Sequence, residues 1–128
     1  MAANSDLAIL VVNSYPPMLD IVRDWLRKLG FRNIVPAEDG PSALQKLREK
    51  PYGLILSDWN LSPMTGLQFL REVRADRTLQ SVPFIMLTAP SKAVRAATLR
   101  EAGDSGALIK PFTAQALRQK LVSVLGEF

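Results

Sequence analysis

Neither cysteine nor histidine occurs anywhere in this chain. The first absence excludes a disulfide framework and any thiolate metal site, and it fits a reducing compartment. The second removes more, because serine–histidine and cysteine–histidine catalysis, imidazole general bases and most zinc sites go with it. Covalent chemistry is left to Asp, Glu, Ser, Thr, Lys or Tyr. Long apolar runs are missing too. The longest, Leu7 to Val12, is far too short to cross a bilayer, and neither a basic leader nor a small-residue cleavage site precedes it. The expectation is a cytoplasmic protein with no membrane partner.

What is present is ordinary for a globular chain. Of 128 residues, 48 % are apolar and 22 % charged, far from the polar balance of disordered segments. A chain of this length buries roughly two thirds of the surface its unfolded form exposes, so one self-sufficient domain over residues 1–128 is expected. The net charge is +4 and leans toward the last third. Those cations are spread along helical segments, with Phe112 the one aromatic residue among them. That pattern reads as solvated helix faces, and no nucleic-acid partner is expected.

Strand-like apolar runs alternate with helix-period segments five times. Ile9 to Val12 is the first strand, and the first helix starts near Pro16 or Pro17, carries Met18, Val22, Trp25, Leu26 and Leu29, and stops at Gly30. A second strand is expected over Phe31 to Val35. Asp39-Gly40-Pro41-Ser42 opens a second helix with Ala43, Leu44 and Leu47 inward, and Pro51 ends it. Gly53 to Ser57 is the third strand. After a turn-rich loop, Leu67, Leu70 and Val73 mark a third helix. Phe84 to Leu87 follows as the fourth strand, a weakly amphipathic fourth helix spans about Lys92 to Ala102, and Ala107 to Ile109 is the fifth strand. The fifth helix, Thr113 to Leu125, presents Leu117, Leu121, Val124 and Leu125. Such alternation requires right-handed crossovers and a parallel sheet covered on both faces, which is a doubly wound α/β fold.

In such sheets, functional groups collect at the carboxyl ends of the strands. Asp58 ends the third strand, Thr88 the fourth and Lys110 the fifth, so a carboxylate, a hydroxyl and an ammonium are expected in one crevice. The first strand ends in Asn13 and Ser14, which supply no acid. Taken singly these are ordinary residues: Asp58 a turn residue, Thr88 a strand threonine, Lys110 a surface cation, Asn13 and Ser14 helix-capping types. Their shared position at strand ends is what singles them out.

Ser57-Asp58-Trp59-Asn60, Pro63-Met64-x-Gly66, Leu87-Thr88-Ala89 and Lys110-Pro111-Phe112 together resemble the receiver domains of two-component response regulators, most of all the single-domain chemotaxis regulators. The resemblance covers essentially the whole chain. It implies a flavodoxin-like (βα)5 three-layer sandwich with sheet order 2-1-3-4-5. It also implies that Asp58 accepts a phosphoryl group from a sensor histidine kinase or phosphotransfer protein, that Lys110 and the hydroxyl of Thr88 bind the phosphoryl oxygens, and that Ala89 leaves them room. The Lys110–Pro111 bond is cis in the family. The backbone amides near Trp59 and Ala89 would add positive charge to Lys110's. A downstream protein would dock on the face made by the fourth helix, fifth strand and fifth helix.

The same resemblance exposes departures. A bound Mg²⁺ is implied at Asp58, the carbonyl of Asn60 and Ser14, with Asn13 one shell out, but Asn13 and Ser14 stand where the family pattern has an acidic pair. Weak metal binding is the expectation. Ala107 stands where many receivers carry an aromatic ring that turns inward on activation, and Pro90 stiffens the loop beside it. A receiver with weak or atypical phosphorylation is therefore the first reading. A pseudo-receiver working as a phosphorylation-independent interaction module is the second. A haloacid-dehalogenase-type phosphatase is set aside, since its second acid would fall on Asn60.

Overall fold

The computed structural model describes residues 6–88, 100, 103, 105–110 and 112–126. Five strands form one parallel sheet: β1 (Ala8–Val12), β2 (Asn33–Ala37), β3 (Leu54–Asp58), β4 (Phe84–Thr88) and β5 (Gly106–Ile109). Their order is β2-β1-β3-β4-β5, as the family pattern implies. Among the described residues the helices are α1 (Pro16–Lys28), α2 (Gly40–Glu49), α3 (Gly66–Ala75) and a C-terminal helix (Ala114–Leu125). Most of the expected fourth helix, about Lys92 to Ala102, lies outside the described residues, as do Ala89, Pro90 and Pro111 with the expected Lys110–Pro111 cis bond.

The pleat divides the core. Leu10, Val12, Ile55, Phe84 and Met86 point to one face, where Ala43, Leu44 and Leu47 of α2 and Phe69, Leu70 and Val73 of α3 cover them. Ile9, Val11, Leu54, Leu56, Ile85, Leu87 and Leu108 point to the other, under Leu19, Val22 and Leu26 of α1 and Leu117 and Leu121 of the C-terminal helix. Every side chain of β1, β3 and β4 is buried. Continuous apolar runs of this kind are what a sheet covered on both faces demands. Fully burying one such Leu or Ile contributes on the order of 2 kcal/mol.

Local chemistry sets the boundaries. Asp39 caps α2 by accepting the Ser42 N–H at 2.8 Å. Thr65 and Gln68 form a reciprocal capping box at the start of α3. Thr113 caps the C-terminal helix through the N–H of Ala116. Gly30, at φ +104°, closes α1 in a conformation that a side chain resists.

The second strand lies two residues later than the sequence pattern predicts. Phe31 is fully buried in the turn, and its N–H is held by the Leu26 carbonyl, so extended pairing begins only where Asn33 meets Ala8. Pro36 then falls inside the strand, opposite Val11. It is tolerated because β2 is an edge strand.

Candidate functional site

Register brings the strand ends together. Val12 pairs with Ser57, Asp58 with Leu87, and Thr88 with Ile109, while the Lys110 N–H donates to the Thr88 carbonyl at 2.7 Å. Asn13, Asp58, Thr88 and Lys110 therefore stand side by side along one end of the sheet. This is the crevice that the strand-end pattern predicts.

At its centre, Asp58 is buried and its side chain only 5 % exposed. A carboxylate removed from water this far needs partners. Asp58 Oδ1 forms an ion pair with Lys110 Nζ, and Oδ2 accepts the Asn60 N–H at 3.0 Å. Amides near Trp59 are expected to add positive charge here, and the one that meets the carboxylate is that of Asn60. The Trp59 N–H instead extends the sheet by donating to the Leu87 carbonyl, which turns the next amide, that of Asn60, toward the carboxylate. Thr88 lies beside them, with its Oγ1 buried and without a hydrogen-bond partner among the described residues. A buried hydroxyl left unsatisfied costs about 1–3 kcal/mol, the kind of cost found where a ligand is to be met.

The other side of the crevice is neutral. Asn13 is buried, and its Oδ1 accepts the Tyr15 N–H at 2.8 Å, fixing the turn into α1. Tyr15 is the N-cap residue of α1 and offers no side-chain cap, so Asn13 serves that helix start from outside it. Exposed Ser14 points its Oγ toward the Asn60 carbonyl, at 3.5 Å. All four residues expected at a metal are thus gathered in one place.

They suit a divalent cation poorly. Mg²⁺ favours near-octahedral oxygen ligands, with one or two carboxylates among them. Here one carboxylate is present, and both its oxygens are engaged. Asn13 Oδ1 is committed to Tyr15, and the Asn60 carbonyl faces a serine hydroxyl. Among the described residues no group of three His, Cys, Asp or Glu side chains is placed to hold a metal.

The motif residue Gly66 acquires a reason that its sequence position alone does not give. A Cβ built on it would lie 2.3 Å from the Asp58 carbonyl oxygen and 2.8 Å from the Trp59 Cα. The first residue of α3 packs directly on the backbone of Asp58 and Trp59, and its N–H donates to the Trp59 carbonyl at 2.9 Å. Arg74 is a residue missed in the sequence. Its guanidinium donates to the carbonyls of Val82 and Gly103, both at 2.7 Å, and so ties the end of α3 to the segments entering β4 and β5. No short motif marks it. Ala107 sits half-buried on β5 against the α2–α3 side of the core, with no ring to turn inward.

Comparison with known proteins agrees with this geometry. The response regulator receiver domain model matches residues 9–122. The chain is 39 % identical to the chemotaxis protein CheY of Pseudomonas aeruginosa over 92 % of its length and 95 % of the relative's. It is 38 % identical to CheY-3 of Vibrio cholerae, covering 92 % and 91 %. Its fold superposes on the chemotaxis response regulator CheY4 of Vibrio cholerae with a TM-score of 0.86 at 28 % identity, over 93 % of this chain and 98 % of that one. A similar match, TM-score 0.85 at 30 % identity over 95 % and 99 %, is to the receiver domain of a sensor histidine kinase from Pseudomonas aeruginosa PAO1, whose active-site cleft holds a magnesium ion. Receiver domains act in two-component signalling as phosphoacceptor modules, not as classical enzymes, and this chain belongs to the response regulator receiver family, in its CheY-like branch.

Proposed function

We propose that Asp58 is the phosphoacceptor, that Lys110 and Thr88 receive the phosphoryl oxygens, and that any divalent cation is held weakly. The observation that carries this reading is the Asp58–Lys110 ion pair, with the Thr88 hydroxyl beside it lacking a hydrogen-bond partner among the described residues. Phosphoryl transfer asks little covalent work of a protein beyond an in-line nucleophile and charge placed around the equatorial oxygens. An Asp58 carboxylate oxygen bonds to phosphorus as the bond from phosphorus to a donor imidazole breaks, and the freed imidazole takes a proton from solvent. The carboxylate charge vanishes into the acyl phosphate, and Lys110 moves from it to the new oxygens. Thr88 Oγ1 gains the partner it lacks.

The donor in this reading is a histidine kinase or phosphotransfer protein, and the protein works in the cytoplasm. No helix among the described residues is long and apolar enough to cross a membrane. The downstream contact is assigned to β5 and the C-terminal helix, where Ile109 stays 56 % exposed beside a groove lined by Ala107, Phe112, Ala116 and Lys120. A chemotaxis role is suggested by the relatives' names.

Transfer from a radiolabelled phosphohistidine protein tests the assignment. The label should move to this chain, be released by alkali or hydroxylamine as acyl phosphates are, and be absent from Asp58→Asn. Label that persists in Asp58→Asn places the acceptor elsewhere.

A further inference from the structure

We infer that Lys110 is the resident cation of this crevice and that phosphoryl acceptance at Asp58 runs without a divalent ion. The inference rests on the phosphoacceptor reading above and specifies its cation requirement.

The argument is one of charge and of occupied ligands. Among the described residues of the crevice the ionised side chains are Asp58 and Lys110, one of each sign and in contact, so their charges cancel. Asn13 and Ser14 contribute dipoles only. A divalent ion entering here brings two positive charges that no second carboxylate offsets, in a pocket where Coulomb terms exceed those in bulk water. It must also displace existing bonds. Lys110 already holds Oδ1, the Asn60 amide already holds Oδ2, and the Tyr15 amide already holds Asn13. The ammonium meets no such cost, because the chain delivers it: the Lys110 N–H is fixed to the Thr88 carbonyl, and its side chain is still 28 % exposed, free enough to follow a charge.

The balance holds through the reaction. A phosphoryl group carries about −1.5 to −2 charges, while Asp58 surrenders its own on becoming an ester. The excess over the starting state is about half to one negative charge, which Lys110 and the oriented Asn60 amide face directly. Two acids at positions 13 and 14 would change the sum. They would leave two negative charges uncompensated, which is what a divalent ion would neutralise.

The test compares the parent with Asn13→Asp/Ser14→Asp, with phosphoramidate as donor and intact mass as readout, in EDTA and in Mg²⁺. In the reaction an oxygen–phosphorus bond forms, the phosphorus–nitrogen bond breaks, and ammonia leaves with a proton from the buffer. The parent is expected to form its adduct at the same rate in both media, and the double variant to react only with Mg²⁺. A parent adduct that forms only with Mg²⁺ overturns the inference and leaves Asp58 as acceptor. No parent adduct in either medium overturns both.

A second readout needs no reaction. Mg²⁺ alone, titrated against Trp59 fluorescence, should leave the parent flat and give the variant a saturable response, at least about tenfold tighter than any seen in the parent. Equal saturable quenching in the two proteins counts against Lys110 as resident cation. If the double variant folds poorly, Asn13→Asp alone serves, since an aspartate there can still accept the Tyr15 N–H.

Discussion

The two flanks of the crevice solve different problems. On the β4–β5 side, Thr88 and Lys110 face the crevice: the hydroxyl is buried without a partner among the described residues, and the ammonium is drawn onto the carboxylate. On the β1 side, Asn13 and Ser14 are committed to architecture, one holding the turn into α1 and the other facing a loop carbonyl. The contrast teaches that a strand end inherits its place from topology but its function from the residue it carries. Both flanks are delivered by the same parallel register. Only one brings charge.

The largest expected effect lies between the flanks, in the packing that both share. Gly66→Ala drives a methyl group into the Asp58 and Trp59 backbone, atoms that cannot swing aside. We expect a loss of about 3 kcal/mol in urea denaturation, at the upper end for overpacking, together with loss of phosphoryl acceptance. Gly40→Ala is the control, because its Cβ meets the thioether of Met64 at 2.8 Å, the adaptable end of a flexible side chain. Equal losses in the two variants would mean that the backbone of the acceptor strand is not the constraint.

Next in size is the asymmetry itself. Lys110→Ala strands a carboxylate that is only 5 % exposed, and a loss of about 2 kcal/mol is expected, below the range for a fully enclosed pair because Lys110 itself is 28 % exposed. Asn13→Ala removes one turn hydrogen bond, so about 1 kcal/mol is expected. If urea midpoints rank these two in the opposite order, the β1 flank is the more important to stability and the comparison is inverted.

The smallest effect supplies a reference outside the crevice. Hydrogen bonds from the side chain and backbone of Thr78 hold the Asp76 carboxyl below its ordinary value of 3.8. A depressed folded-state value means that this stabilisation is present above 3.8 and fades as the pH falls through the folded-state value. Thr78→Ala should flatten that acid limb slightly and leave phosphoryl acceptance at neutral pH unchanged. A change in acceptance would reveal coupling between the end of α3 and the crevice.

Much of this was legible in the chain itself. Period and punctuation placed α1, α2, α3 and the C-terminal helix close to where they lie, because Pro16, Gly30, Asp39 and Thr113 act locally. Asp58, Thr88 and Lys110 were legible as strand ends for the same reason. Strand β2 was misplaced because Phe31 is buried by a turn and not by a ladder, and the apolar pattern alone does not distinguish the two. Which amide meets Asp58, why position 66 excludes a side chain, and where Arg74 reaches all depend on contacts between segments distant in sequence. Such contacts leave no periodic trace.

Pro36 carries one further consequence. It sits on the outermost strand at the β2 side, where another chain would have to add itself to lengthen the sheet. A pyrrolidine nitrogen has no hydrogen to give, so a ladder built outward from β2 is broken within its five residues. Growth of the sheet by strand addition from that margin is therefore closed.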